Sequence, residues 1–438
     1  MRHRGRSFLI YNRLRIWKNM KTFTIKTLGC KANQYDSQLM RERLSGAGLK
    51  ENSNGTPSDI YIINTCTVTS NADKRARNLI YKASRENPSS NIVVIGCYSD
   101  RAREKLKSIP GVGLVLGNED KDHILSLLGA PGPGSGTITD FAGRNRAFVK
   151  VQDGCDNFCS YCIVPYVRGN PRSRAADEVK SEVRELASKG FKEIVLSGIC
   201  LGAYGKDLTS PIDITDLINI IEDTNGLHRI RLSSIEPGYV TDKLIDKISN
   251  SKKLCRHLHL PLQSGDDDVL NRMKRGYTRR DFFDIIDRIK EKVSRISVTT
   301  DVLVGFPGES EEAFDCTLDA VRKIGPSRTH IFPYSRRPGT ESARFTDKVD
   351  KSKVDDRVKR LKELSDRCAL EYKNGFVGRD EEILVESKER GSSGVFYGYT
   401  DTYLKVAFSG RSELLNEIIS VNIRSVKTEC MQAAYSGH

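Results

Sequence analysis

Three times in the first third of the chain, a short apolar run ends in a cysteine and leads into an amphipathic stretch. This repeated order restricts the segment to one kind of fold. The runs are Phe23-Thr-Ile25-Lys-Thr-Leu28-Gly-Cys30, Ile60-Tyr-Ile-Ile-Asn64-Thr-Cys66 and Ile92-Val-Val-Ile95-Gly-Cys97. Leu39, Met40 and Leu44 form the apolar stripe after the first run, with Gly46 and Gly48 as stop signals. Ala76, Leu79, Ile80 and Ala83 follow the second, and a helix from about Asp100 to Ser108 follows the third. Strands alternating with helices predict a parallel sheet, because parallel neighbours need a crossover connection. In an open parallel sheet, residues just past neighbouring carboxyl ends line one ligand-binding edge. A single cysteine is most often a small buried hydrophobe. Three in the same structural slot predict that Cys30, Cys66 and Cys97 converge.

Residues 130–146, rich in Pro, Gly and Ser, read as a linker. A second β/α alternation then runs to about residue 333. Strands are expected near 147–151, 192–198, 228–233, 256–261, 297–303 and 328–333, and helices near 177–189, 213–223, 279–293 and 309–324. Six units are too few for a closed eight-fold barrel and predict a partial one, with its chemistry at the carboxyl ends of the strands. A charged helix from Lys351 to about Asn374 leads to 375–438, where short β-like runs such as Glu382–Glu386 and Tyr403–Phe408 predict a small all-β barrel. The expected division is a basic extension over 1–20, an α/β domain over 21–129, the linker, a partial barrel over 147–374 and a β domain over 375–438. The extension is read as disordered or as a misassigned start, with Met20 the alternative; a nucleic-acid arm or a targeting peptide is the other reading.

A second cysteine group, Cys155-Asp-Asn-Phe-Cys159-Ser-Tyr-Cys162, has C-x3-C-x2-C spacing and follows the first strand of the partial barrel. Eleven cysteines in a charged chain of 438 residues argue against a disulfide framework, which belongs to short secreted chains. With no cleavable signal in the first twenty residues, the expected compartment is the reducing cytoplasm. No run of about 18 apolar residues exists, so no membrane-spanning helix is expected. Three thiolates on one short loop suit three corners of a 4Fe–4S cluster, leaving one iron open. A structural zinc site wants four protein ligands; no histidine lies close by, and distant Cys200 is the one candidate for a fourth. A ferredoxin-type carrier needs a fourth nearby cysteine and has different spacing.

With Tyr161 in the aromatic slot, this loop resembles the hallmark of the radical S-adenosylmethionine (SAM) superfamily. The resemblance implies that the open iron chelates SAM, whose one-electron reduction yields methionine and a 5′-deoxyadenosyl radical. The wording around Cys30, Cys66 and Cys97 narrows the family, as do Gln152-Asp-Gly-Cys155, Ile163-Val-Pro-Tyr-Val-Arg168-Gly169, Leu232-Ser-Ser-Ile-Glu-Pro237, Leu260-Pro-Leu-Gln263-Ser264-Gly265, Asp301-Val-Leu-Val-Gly-Phe-Pro-Gly308-Glu309 and Phe332-Pro-Tyr-Ser335. Together they resemble radical SAM methylthiotransferases over residues 21–438, with a TRAM-like tail. That family implies a second 4Fe–4S cluster on Cys30, Cys66 and Cys97, which delivers or carries the inserted sulfur. One SAM methylates a cluster-associated sulfur and another supplies the radical. An unactivated C–H bond has no acidic proton, so no catalytic base is nominated. Tyr161, Gly198, Gly202, Gly205, Gln263, Ser264, Gly265 and Asp301 are the expected SAM-side residues, with tight-turn geometry the rival reading of the glycines and a turn cap that of Asp301. Arg168, Arg172 and Arg174 form a basic loop suited to RNA phosphate or simply to solvent.

Such enzymes act on an adenosine beside the transfer-RNA anticodon or on a ribosomal-protein aspartate. Gly-Cys30-Lys-Ala-Asn-Gln and Asn-Thr-Cys66-Thr-Val-Thr resemble the branch acting on N6-threonylcarbamoyladenosine. The isopentenyladenosine and ribosomal-protein branches usually read differently after the first cysteine. Arg336-Arg337-Pro-Gly-Thr340 also fits, although Pro338 departs from the expected Thr. A net charge of +14 suggests a polyanionic partner, but six Lys/Arg lie in residues 1–20 and 375–438 come to −2. The mildly acidic tail keeps a basic protein substrate open. The expected partners are a transfer-RNA anticodon stem-loop, an electron donor and a sulfur source. The rival of a different class is a non-catalytic iron–sulfur protein that binds RNA or transfers electrons.

Overall fold

The computed structural model describes residues 20–52, 56–130, 137–141, 143–389 and 394–435. Most of the basic extension and part of the linker lie outside the described residues. The chain divides into two compact units: residues 1–142, 154–156 and 162–170 form the first, and 143–153, 157–161 and 171–438 the second.

In the first unit, β1 (Thr22–Thr27), β2 (Lys50–Glu51), β3 (Ile60–Thr65), β4 (Asn91–Gly96) and β5 (Val112–Leu116) form a parallel sheet in the order β2-β1-β3-β4-β5. The continuous apolar runs follow from burial on both faces. Ile62, Val93 and Ile95 enter one core cluster with Met40 and Leu44, while Tyr61, Ile63, Ile92 and Val94 enter another with Ala76 and Ile80. Two edge strands, β2 and β5, extend the three expected ones. The third helix spans Cys97–Lys107, so it starts at the cysteine and not near Asp100. Gly96, with φ +104°, makes that abrupt strand-to-helix entry possible.

In the second unit, β6 (Arg146–Lys150) is followed by the short antiparallel pair β7 (Gln152–Asp153) and β8 (Arg172–Ser173). β9 (Glu193–Ser197), β10 (Arg229–Leu232), β11 (His257–His259), β12 (Ser297–Val304) and β13 (Arg328–Pro333) complete six parallel strands. Single bridges, Ile230 to Leu254 and Ser234 to His259, link the two three-stranded ladders, and among the described residues no ladder joins β13 to β6. This is the expected open six-stranded barrel. Alternation puts His257, His259, Thr299, Asp301, His330 and Phe332 on one face. Leu258, Val298 and Val302 on the other are buried, as partners for the amphipathic helices.

The helix Lys351–Asn374 precedes β14 (Asp380–Lys388), β15 (Val395–Thr400), β16 (Lys405–Ser409), β17 (Ile418–Val426) and β18 (Met431–Ala434), which close into a barrel around Ile383, Phe396, Val406 and Ile423. The −2 charge of this segment has a structural use. Four of its nine acids pair with bases of the partial barrel: Glu381 with Arg295, Glu386 with Arg146, Asp401 with Arg256 and Glu417 with Lys192. At the same contact Arg231 donates to Glu193 Oε1 (2.7 Å) and to the carbonyls of Asp401 (2.8 Å) and Thr400 (3.1 Å). Glu193 is fully buried; burial opposes its charge, but Arg231, Arg146 and Arg229 outweigh it and hold the carboxyl below its ordinary pKa. Glu193→Ala strands these guanidiniums, and a loss of about 3–5 kcal/mol is expected in urea unfolding. The stabilisation from Glu193 is present above the unfolded carboxyl pKa of about 4.3 and fades as pH falls through the lower folded value.

Candidate active site

In the first unit, β1, β3 and β4 are neighbours with Thr27 opposite Asn64 and Thr65 opposite Gly96, so their carboxyl ends are level. Cys30 caps the helix Lys31–Gly46, Cys66 lies one residue past β3, and Cys97 opens the helix after β4. A Cβ on Gly29 would sit 2.7 Å from Cys66 Cβ and 3.2 Å from its Sγ, so only a glycine lets the two cysteine loops approach. Cys30 is exposed, whereas Cys66 and Cys97 are buried.

Behind the thiols lies a buried polar frame. Asn33 Nδ2 donates to the carbonyls of Leu28 (2.8 Å) and Thr65 (3.0 Å), tying the first cysteine loop to the second. Its Oδ1 accepts from Arg168 Nη2 (2.5 Å) and Lys121 Nζ (3.3 Å), and Lys121 also pairs with Asp36 at 2.6 Å. Two buried cations thus face one buried carboxylate. Burial pushes the Cys66 thiol up to about 11; the Val68 amide offsets part of this, the Cys97 and Cys30 charges add to it, and Arg168 opposes it. The buried Cys66 thiol gives up its proton only with a bound cation to take its place.

The C-x3-C-x2-C loop leaves β7. Cys155 N donates to Gly169 O (3.0 Å), and a Cβ on Gly154 would lie 2.0 Å from Asn170 O. Within the second unit, Phe158 takes a left-handed φ of 43°, and Ser160 is anchored by its N to Met273 O (3.0 Å) and its Oγ to Arg272 O (2.7 Å). Arg275 donates from Nη1 to Cys159 Sγ (3.3 Å) and from Nε to the Tyr277 hydroxyl (3.1 Å), and its Nη2 pairs with Glu236. Burial works against the Arg275 charge, but Tyr161, Tyr277, Glu236 and Cys159 outweigh it and hold it protonated.

Two family models match the chain: Radical SAM superfamily over residues 149–321 and Uncharacterized protein family UPF0004 over 22–117. The "Threonylcarbamoyladenosine tRNA methylthiotransferase MtaB" of Bacillus subtilis (strain 168) is 39% identical over 92% of this chain and 94% of its own length. The chain belongs to the radical SAM methylthiotransferases. A "tRNA-2-methylthio-N(6)-dimethylallyladenosine synthase" of Pelotomaculum thermopropionicum is 35% identical over 93% of this chain and 96% of its own. The fold is also that of the radical SAM methyltransferase TsrM from Kitasatospora setae, with a TM-score of 0.53 at 15% identity, covering 74% of this chain and 77% of that one.

This methylthiotransferase is an enzyme of a family that uses SAM and 4Fe–4S clusters. The donors at the sheet edge fit such a cluster. A single zinc ion holds thiolates at about 2.3 Å and therefore draws their sulfurs close together. Among the described residues, Cys30, Cys66 and Cys97 are not gathered closely enough for one such ion. The buried cations behind them suit the anionic thiolates of a cluster.

The other expected residues divide. A Cβ would meet Gln152 Oε1 at 2.9 Å from Gly198, Tyr239 Cβ at 2.4 Å from Gly202, Ile212 O at 2.1 Å from Gly205 and Cys316 O at 2.5 Å from Gly265, so all four glycines are closely packed. Ser264 is buried beside Thr317, and Gln263, at φ 64°, bridges to Val302. Asp301 does not cap a turn; it lies within β12 and faces His259 Nε2 at 3.1 Å. Tyr161 lies 3.5 Å from Arg275 through its hydroxyl. Of the three arginines, Arg172 is exposed, whereas Arg174 is bound to Glu182 (2.8 Å) and Lys150 O (3.0 Å). Arg168 is 3% exposed with its guanidinium turned onto Asn33, so in this structure it faces the cysteine frame and not a phosphate.

Arg275, Glu236, Lys121 and Asp36 were not singled out by sequence. Glu236 stood inside a quoted motif; Arg275 and Lys121 had no signal beyond an ordinary basic residue. Arg275→Gln removes a buried cation from a cluster cysteine. A more negative reduction potential at near-normal iron content is expected in an anaerobic redox titration, because hydrogen bonds and charge at the sulfurs set that potential.

Proposed function

We propose that this methylthiotransferase inserts a methylthio group at carbon 2 of N6-threonylcarbamoyladenosine, the base beside the anticodon of transfer RNA. The observation that carries the reading is the meeting of Cys30, Cys66 and Cys97 at one sheet edge in a chain that also holds the radical SAM loop. The name of the Bacillus subtilis relative and the Cys30-Lys-Ala-Asn33-Gln wording support the threonylcarbamoyl branch. Cys155, Cys159 and Cys162 would hold a cluster supplying one-electron reducing chemistry toward SAM, and Cys30, Cys66 and Cys97 would hold one supplying sulfur.

The protein's own contribution is placement. Arg275, braced by Glu236 and Tyr277, orients Cys159; Asn33 ties two of the sheet-edge loops together and is held by Lys121 and Arg168, of which Arg168 acts with its positive charge on Cys66. Tyr161 and Asp301 are assigned to the SAM side, and Arg172 remains the candidate for phosphate. The functional division follows the expected domains, with 21–129 for the sulfur-carrying cluster, 147–374 for SAM and 375–438 for RNA. The acids Glu381, Glu386, Asp401 and Glu417 are spent on ion pairs within the protein, which removes the reason for preferring a basic protein substrate. The anticodon stem-loop, a cytoplasmic electron donor and a sulfur source are the partners. No helix among the described residues is long and apolar enough to cross a membrane.

Nucleoside mass spectrometry of transfer RNA from a deletion strain tests this reading. Loss of 2-methylthio-N6-threonylcarbamoyladenosine, restored by the gene, is the expected result. Loss of the isopentenyladenosine derivative instead, or of neither, overturns it.

A further inference from the structure

On the partial barrel, His259, Asp301 and His330 bring one nitrogen or oxygen each to within 4.8 Å of the others. Strand register sets this up: His259 lies opposite Thr299, and Asp301 opposite His330. Thr299 Oγ1 lies 2.9 Å from His259 Nδ1 and 3.0 Å from His257 Nε2, which turns His259 Nε2 toward Asp301 Oδ1 at 3.1 Å. The His330 ring stands edge-to-face against His259, centroids 5.4 Å apart, and lies parallel to Phe332 at 6.5 Å with an 11° tilt. Phe332 is 42% exposed, although it belongs to a barrel strand. The row therefore runs from a fixed imidazole–carboxylate pair to an open aromatic face near the carboxyl end of β13.

An imidazole–carboxylate pair offers a hydrogen-bond donor and an acceptor side by side, and a carboxylate has lone pairs beyond the one facing His259. Next to it, an exposed ring parallel to an imidazole is a stacking surface. A ligand that uses both has a flat aromatic face and a polar edge. We propose that His259, Asp301, His330 and Phe332 form a purine-ring site, in which Phe332 and His330 stack on the base and Asp301 and His259 read its edge. Two adenine rings can come to this barrel: that of SAM, and that of the target adenosine. A mononuclear metal would use the same two histidines and carboxylate but would have no use for Phe332. Substitution of Phe332 therefore separates a base from an ion. The target-adenosine arm rests on the proposed function; the SAM arm rests on family membership alone.

The test uses full-length, anaerobically reconstituted enzyme and two direct binding measurements: one with SAM, one with a labelled anticodon stem-loop carrying N6-threonylcarbamoyladenosine. Phe332→Ala is expected to weaken one ligand roughly 5- to 150-fold, the range for a single base–aromatic stack. Phe332→Tyr should restore it. Weakening for RNA alone assigns the site to the target base, and weakening for SAM alone assigns it to the cofactor. Unchanged affinity for both, or loss that Phe332→Tyr does not restore, overturns the proposal. Nucleoside analysis of wild-type product reports separately on the proposed reaction, so either can fail while the other stands.

Discussion

Cys159→Ala should release no 5′-deoxyadenosine above background when incubated anaerobically with dithionite and SAM. The expectation rests on more than the loss of one ligand. The thiol is largely buried, receives a hydrogen bond from a charged Arg275, and sits beside Ser160, whose two bonds fix the loop. Removing the sulfur leaves that buried guanidinium facing a void at the place where it had met a thiolate, so a displaced cluster gains nothing from the remaining frame. Iron should fall from about eight to about four per chain, because the sheet-edge triad keeps its own ligands. Substantial SAM cleavage by the variant contradicts the role assigned to the loop. A cluster protein without catalytic function is separated by the wild type itself, since it would release no 5′-deoxyadenosine at all.

The chain advertised its strands well, and the reason is burial. β3 and β4 are apolar on both faces because both faces are covered, and each carries four such residues in a row, Ile60–Ile63 and Ile92–Ile95. β5 escaped because Val-Gly-Leu-Val-Leu has a glycine in its second position and no cysteine after it, so it lacked the signal that marked its neighbours. Helix onset at Cys97 was missed by three residues for a related reason: positive φ at Gly96, which is not written in periodicity, decides it. The cysteines were legible because their chemistry is rare. Their supports were not, since Arg275 and Lys121 differ from surface bases only by where they are buried. The acidic tail misled for the same reason, as composition cannot tell solvent-facing charge from charge spent on Arg146, Arg256, Arg295 and Lys192. Arg168 read as part of a basic loop, yet its partner Asn33 lies 135 positions away, a distance over which no local pattern speaks.

Cys66→Ala should keep SAM cleavage and lose sulfur insertion. Cys66 is the middle member of the sheet-edge set, just past β3, which lies between β1 and β4, and its side chain lies against the Gly29 turn that carries Cys30. Its replacement removes a ligand that the remaining pair cannot supply, because Cys30 and Cys97 belong to loops two strands apart. Cys159, Arg275, Glu236 and Tyr277 lie in the second unit, whereas Cys66 lies in the first. The two losses should therefore separate: 5′-deoxyadenosine continues to form, while methylthiolated nucleoside falls below detection and iron drops to about four per chain. Serine at the same position tests whether a sulfur is needed or only a small polar group. Because burial pushes the Cys66 thiol up to about 11, its place in that pocket depends on a bound cation to draw off the proton, and a hydroxyl, harder and less acidic still, should fare no better than alanine. Methylthiolated product from either variant would mean that the sheet-edge thiols are not where the sulfur is carried.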